Sequence, residues 1–149
     1  MPRRLLVLLA LAAVIALGCD APGDPPPSGD ALPSTLAATG WRVVQVNGRA
    51  PIAGREPTLA FDAERVGGSG GCNHIGARYR YDARNGAFEI AEAGGTAMAC
   101  VEAGVTEFEG LFMTALAGST KAALDGSGRL VLLGPGSEIL LAADPGARQ

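Results

Sequence analysis

Aromatic and charged side chains are both scarce in this sequence. It contains four Phe, two Tyr and one Trp, only 18% of its residues are charged, and His74 is its single histidine. Lys and Arg number 12 against 15 Asp and Glu, which gives a net charge of −3. A protein that binds a nucleic-acid backbone needs clustered Lys and Arg. The composition therefore argues against nucleic acid as a partner.

Long apolar runs are missing as well. The longest, residues 5–17, is too short for a membrane-spanning helix, which needs about 20 apolar residues. Two arginines precede this run and Gly18-Cys19 follow it, a layout typical of a secretory signal. We therefore predict a lipoprotein signal peptide over residues 1–18. The alternative is an ordinary secretory signal in which Cys19 has no role.

Cys19 stands where a bacterial lipobox places its lipidated cysteine. The small residue Gly18 permits cleavage, and the cysteine thiol then receives diacylglycerol, later accompanied by a palmitate-type chain. Cleavage there removes two of the 12 basic residues and none of the 15 acidic ones, which leaves a net charge of −5. Because an acidic protein gains nothing from anionic lipid headgroups, the acyl chains alone are predicted to hold it on the membrane of the cell envelope, facing the periplasm.

A proline-rich stretch follows the predicted lipidation site. Residues 19–35 contain five prolines, a composition that forms an extended tether rather than a core. Asp20, directly after Cys19, resembles the inner-membrane retention signal of enteric bacteria and favours the inner over the outer membrane.

Alternation of apolar and polar residues predicts a series of short strands in the remaining sequence. The predicted strands cover residues 41–46, 57–62, 78–81, 88–90, 130–133 and 139–142. Asn47-Gly48 and Asn85-Gly86 have the composition of tight turns. Tyr79 and Tyr81 fall on one strand face and are predicted to lie in the core.

One helical pattern lies between residues 106 and 116. Apolar residues recur there at helical spacing and form a single stripe, made of Phe108, Leu111, Phe112, Ala115 and Leu116. Thr106 and Glu109 have the spacing of a capping box, which predicts that they satisfy exposed amides at the helix start.

Short strands with one helix predict a mainly β (α+β) domain over residues 36–144. We expect an antiparallel, partly open β-barrel-like sheet packed with one amphipathic helix. Residues 145–149 are expected to form a disordered tail.

Two short strings in this region resemble a known family. They contain eight motif residues: Gly70, Gly71, Cys72, Asn73, Thr96, Met98, Ala99 and Cys100. With Trp41 and the segment 57–62, they resemble the META domain of HslJ-like heat-shock lipoproteins. The resemblance implies a partly open β-barrel with a helix across it, an envelope location, a role in stress response and no catalytic activity. The similarity of this family to the lipid-binding pilot lipoproteins of secretion systems implies an apolar cavity in the barrel.

The cysteine count indicates a disulfide. If Cys19 is acylated, Cys72 and Cys100 are left to pair in an oxidising compartment. The alternative is a metal site formed by these two cysteines with His74 and Met98, because soft ligands suit copper or zinc. Structural zinc usually needs four ligands, so we expect no metal and no cofactor.

Catalytic patterns are weak. His74 lies on the same predicted strand face as Cys72, which is not the geometry of a nucleophile and its base. The glycine-rich segment 67–71 lacks the Lys of a phosphate-binding loop, and we interpret it as a place of close strand packing. Asn73 is expected to hydrogen-bond neighbouring backbone.

Three functions remain open at this stage. The first is a non-enzymatic, monomeric envelope lipoprotein that acts through contacts with an unknown envelope protein or protects against stress. The second is a carrier or chaperone that holds a lipid or another apolar ligand in a barrel cavity. The third is a metal-binding or redox protein, which would need free thiols.

Overall fold

A computed structural model describes residues 31–147 of the chain. The predicted signal peptide, Cys19, Asp20 and most of the predicted tether lie outside these residues. The elements in chain order are β1 (Thr39–Val46), β2 (Thr58–Phe61), β3 (Arg65–Ser69), β4 (His74–Asp82), β5 (Ala87–Gly95), α1 (Val105–Ala117), β6 (Lys121–Leu124), β7 (Leu130–Gly134) and β8 (Ser137–Ala143).

The eight strands form a closed antiparallel barrel in which each strand pairs with its neighbours in the chain. β1 and β8 complete the ring, with Trp41 opposite Ala143 and Val46 opposite Ile139. The predicted mainly β fold with one helix is thus confirmed, but the barrel is closed rather than partly open. Closure depends on pairing between the first and last strands, a long-range register that local alternation does not encode.

One junction of the barrel is thinly paired. Among the described residues, β5 meets β6 only around Ala87, which lies opposite Lys121. The α1 helix connects these two strands and packs against β5, β8 and β1. β5 also contains a bulge opposite Ala77, where Glu92 adopts a positive φ of 53°. Helix packing therefore supplements hydrogen bonding at this point.

The core lies inside the barrel and under α1. Phe61 meets Tyr79 edge-on with ring centroids 4.9 Å apart, and Phe88 completes this aromatic group. From the helix, Phe108 and Phe112 are buried, as the sequence predicted. The cost of exposing such rings, about 1.5–3 kcal/mol each, fixes the helix on the barrel.

The glycine-rich segment serves close strand packing, as interpreted from the sequence. β3 contains Gly67 and Gly68, and a side chain at Gly68 would collide with the carbonyl oxygen of Thr58 on β2. Only glycine permits these backbones to approach so closely.

The start of α1 differs from the prediction. The N-cap is Gly104 in a left-handed conformation, and no side chain caps the helix. Glu109 turns into the protein instead of back towards Thr106, so the predicted capping box is wrong. Within residues 31–147, no helix is long and apolar enough to cross a membrane.

Candidate functional site

The motif residues meet at one end of the barrel. Gly70–Asn73 form the connection from β3 to β4, and residues 96–100 begin the connection from β5 to α1. A disulfide joins Cys72 to Cys100, with 5.9 Å between their Cα atoms. The predicted disulfide is therefore present, and it ties the two connections together.

Asn73 is the centre of the hydrogen-bond network at this end. Its Oδ1 accepts from the backbone amide of Met98 at 2.6 Å and from the Thr96 hydroxyl at 2.9 Å. Its Nδ2 donates to Glu109 Oε2 at 2.7 Å, and its backbone amide donates to Glu109 Oε1 at 2.7 Å. Only the contact with Met98 is to backbone, whereas those with Thr96 and Glu109 are to side chains, and both polar atoms of the Asn73 side chain are occupied.

Glu109 is a member of this network that the sequence analysis assigned elsewhere. It is only 8% exposed and lies on the buried face of α1 beside Phe108 and Phe112. Gly70 makes room for it, because a side chain at that position would collide with the Glu109 carboxylate. An acidic residue within the apolar helical stripe was the signal that could have identified it, since a buried carboxylate needs hydrogen-bond donors.

His74 takes part only through its backbone. Its amide donates to Thr96 Oγ1 at 3.1 Å, its carbonyl accepts from the Thr96 amide at 3.0 Å, and its side chain is exposed. The disulfide occupies the thiols that the alternative metal site required. The described part of the chain contains no group of three or more His, Cys, Asp and Glu side chains placed to bind a metal.

Three apolar side chains are exposed at this end. Val101 is 99% exposed, Met98 is 54% exposed and Ile52 is 37% exposed. Ile52 lies in the connection from β1 to β2 and contacts the start of α1. A Cβ atom added to Gly104 would be 3.4 Å from Ile52 Cδ1. We call Ile52, Met98 and Val101 the loop surface.

Two ion pairs fix the connections that carry the loop surface. Arg55 Nε lies 2.5 Å from Glu102 Oε2, and Arg49 Nη1 lies 2.7 Å from Glu107 Oε1. The hydrogen bond from each arginine lowers the pKa of its glutamate partner. These exposed pairs contribute little stability, but they orient the β1–β2 connection against the start of α1.

The contact between α1 and β4 leaves little space. A gap of about 10 Å³ lies there, lined by Ile75, Ala77, Met113 and Leu116. This space holds about one water molecule, whereas sites for small ligands measure about 300–1,000 Å³. The packing at this place does not favour the apolar-carrier alternative.

The comparisons with known proteins agree with this architecture. A family model described as the META domain matches residues 34–145. An NMR structure of a protein from Burkholderia xenovorans is similar over 93% of this chain and 99% of that chain, with 20% identity and a TM-score of 0.66. The crystal structure of a DUF4847 family protein from Bacteroides vulgatus ATCC 8482 is similar over 74% of this chain and 95% of that chain, with 18% identity and a TM-score of 0.53.

At these identities, the likeness to solved structures shows the fold alone. No curated protein matches the sequence. The family model covers most of the sequence and all of the barrel strands. The chain therefore belongs to the META domain family.

Proposed function

We propose that this protein is a non-enzymatic lipoprotein of the bacterial cell envelope and that its META barrel acts as a protein-interaction or stress-protective module. The observation that carries the proposal is that the motif residues bond to one another and to other parts of the protein. Their polar side-chain atoms and cysteine sulfurs form bonds within the protein, namely the Cys72–Cys100 disulfide and the contacts of Asn73. Such a cluster positions the backbone and does not provide a reactive group.

The loop surface is the part that this cluster positions. Met98 is bound through its backbone to Asn73 while more than half of its side chain faces solvent. Val101 projects from the segment that follows Cys100. Exposed apolar side chains on a braced loop are a feature of protein-binding surfaces, because the loop loses little conformational freedom on binding.

The lipid anchor at Cys19 is proposed from the sequence. The apolar run over residues 5–17, followed by Gly18-Cys19, supports lipidation of Cys19 and membrane attachment. Mass spectrometry of the protein extracted from membranes tests this step: the mature chain should begin at Cys19 and carry the mass of its acyl chains. An unmodified amino terminus at any other residue would overturn it.

Substitution of Val101 tests the interaction surface. In a strain that lacks the protein, Val101→Asp should fail to restore survival under heat or envelope stress, whereas wild type should restore it. Its melting temperature should be unchanged because the side chain is 99% exposed. Ala143→Asp is the matched control, since Ala143 is exposed at the other end of the barrel. Full rescue by Val101→Asp would contradict the proposal.

A further inference from the structure

A groove of about 680 Å³ lies at the opposite end of β4 from the loop surface. Its walls are residues 34–37, which lead into β1, and the turn between β2 and β3. Its floor is formed by β4 and β5. The family motif does not extend to this place, and none of the residues discussed for the proposed function lines the groove.

The walls of the groove are held in place by tyrosine hydroxyls. Tyr81 donates to the carbonyl oxygen of Pro33 at 2.7 Å, and Tyr79 donates to that of Asp62 at 2.6 Å. Burial raises the pKa of both tyrosines, so both hydroxyls stay protonated at physiological pH. Leu36, only 1% exposed, further anchors the first wall. The groove is therefore preformed.

Small side chains leave the groove open. Four alanines line it at positions where a larger residue would fill the space, namely Ala37, Ala63, Ala83 and Ala91. Ser34 and Thr35 also line it. The space falls in the range of sites for small ligands.

The charges in the groove fall into two sets. Arg78 is neutralised, because Nε lies 3.1 Å from Glu92 and Nη1 lies 3.9 Å from Glu64. Arg80 and Glu89 stand opposite each other on β4 and β5. Neither side chain forms an ion pair or hydrogen bond with any residue in the range 31–147, and both are exposed. One cation and one neighbouring anion are thus available to a ligand.

We propose that this groove binds a short zwitterionic peptide, whose carboxylate binds Arg80 and whose ammonium group binds Glu89. A guanidinium pairs with a carboxylate through two parallel hydrogen bonds. Three glutamates against two arginines in the groove disfavour an inorganic anion, and Arg80 disfavours a polyamine. Opposite residues on neighbouring strands are about 4.5–5.5 Å apart at Cβ. The two long side chains can diverge from there to reach the charged ends of a tripeptide, which are about 10 Å apart when the peptide is extended.

Calorimetric titration of the full mature lipoprotein in detergent micelles tests this proposal. The probe is tri-alanine with free termini, and the matched probes are its N-acetyl form and its C-terminal amide, each of which lacks one charge. Tri-alanine should bind, and loss of either charge should weaken binding about tenfold or more. Equal affinity for all three peptides would overturn the proposal, as would failure of tri-alanine to bind at millimolar concentration. Tighter binding of inorganic phosphate than of tri-alanine would also overturn it.

Variants of the two charged residues locate the binding. Arg80→Ala and Glu89→Gln should each weaken tri-alanine binding about tenfold, whereas Arg42→Ala, at an exposed position on β1, should leave it unchanged. The exchange Arg80→Glu with Glu89→Arg should restore binding, because the peptide then binds in the reverse direction. Unchanged affinity in Arg80→Ala, or no recovery in the exchanged protein, would contradict the proposed contacts.

Discussion

Asn73 donates two hydrogen bonds to Glu109, one from its backbone amide and one from its side chain, each 2.7 Å long. The two donors reach different oxygens of one carboxylate. This contact connects the β3–β4 loop to α1. The oxygen of the Asn73 side-chain amide, Oδ1, accepts from the Met98 backbone amide and so connects the loop to the β5–α1 connection. Asn73 thereby links three separate segments of the chain.

Removal of the Glu109 carboxylate should destabilise the protein. Glu109→Ala leaves two donors of Asn73 without an acceptor, and hydrogen bonds to a charged group contribute about 1.5–3 kcal/mol each. Because the substitution also removes the cost of burying the carboxylate, we expect the free energy of unfolding to fall by less than the sum of the two bonds, about 2–4 kcal/mol, measured by urea denaturation. The control is Glu107→Ala, whose side chain is 70% exposed in a surface ion pair and should cost less than about 1 kcal/mol. Equal losses would show that the Asn73 contact contributes nothing special.

Substitution of two glycines by alanine should change the free energy of unfolding in opposite directions. Gly110 lies within α1 with nothing within 4 Å of an added Cβ, so Gly110→Ala should raise the free energy of unfolding by about 0.5–1 kcal/mol. Gly70→Ala should lower it, because the added atom would collide with Glu109. Thermal melting of the two variants measures both changes. A stable Gly70→Ala protein would show that the carboxylate moves aside at low cost.

Loss of the disulfide should lower the melting temperature. The cysteines are 28 residues apart, for which loop-closure entropy gives about 3–4 kcal/mol. In a domain of this size, the melting temperature of the Cys72→Ser, Cys100→Ser protein should fall by roughly 10 °C. Thiol titration of unreduced, denatured wild type is the companion measurement. Two free thiols in protein taken from the envelope would contradict the disulfide.

The pKa of Asp82 should lie well below the usual value of an aspartate. Hydrogen bonds from the Arg84 side chain and backbone lower its pKa to about 2. Because the folded pKa lies below the unfolded one, the contribution to stability is complete above about pH 4 and is lost as the pH falls towards 2. NMR titration of the carboxyl carbon should give that midpoint, and Arg84→Ala should raise it. An identical midpoint in the variant would show that Arg84 is not the cause.

The elements with strong local patterns were predictable from the sequence. The helical pattern over residues 106–116 predicted α1 within a residue of each end, and the paired glycines of β3 indicated close packing. β3 and β6 were not predicted as strands, because β3 has two glycines in five residues and β6 has two alanines in four. Their extended conformation depends on neighbouring strands rather than on local preference.

The site was predictable only in part, for a related reason. Cys72 and Cys100 were identified because oxidising conditions leave them few alternatives. The role of Glu109 was missed because its partner, Asn73, is 36 residues away in the chain. A nearby Thr106 offered a plausible local partner, and only the packing of α1 on the barrel decided between them.

The thin pairing between β5 and β6 also determines where the barrel should open first. Along most of β5, the side facing β6 has no strand partner within residues 31–147, so separation there breaks few backbone hydrogen bonds. Amides of β5 that lie beyond Ala87 and point towards β6 should exchange with solvent deuterium sooner than those of β1 and β8, which are paired on both sides. The bulge at Glu92 bends this unpaired edge away from the flat geometry that a second chain would need for β-addition. The junction between β5 and β6 can therefore open transiently without offering an edge to which a second copy of the protein could add a strand.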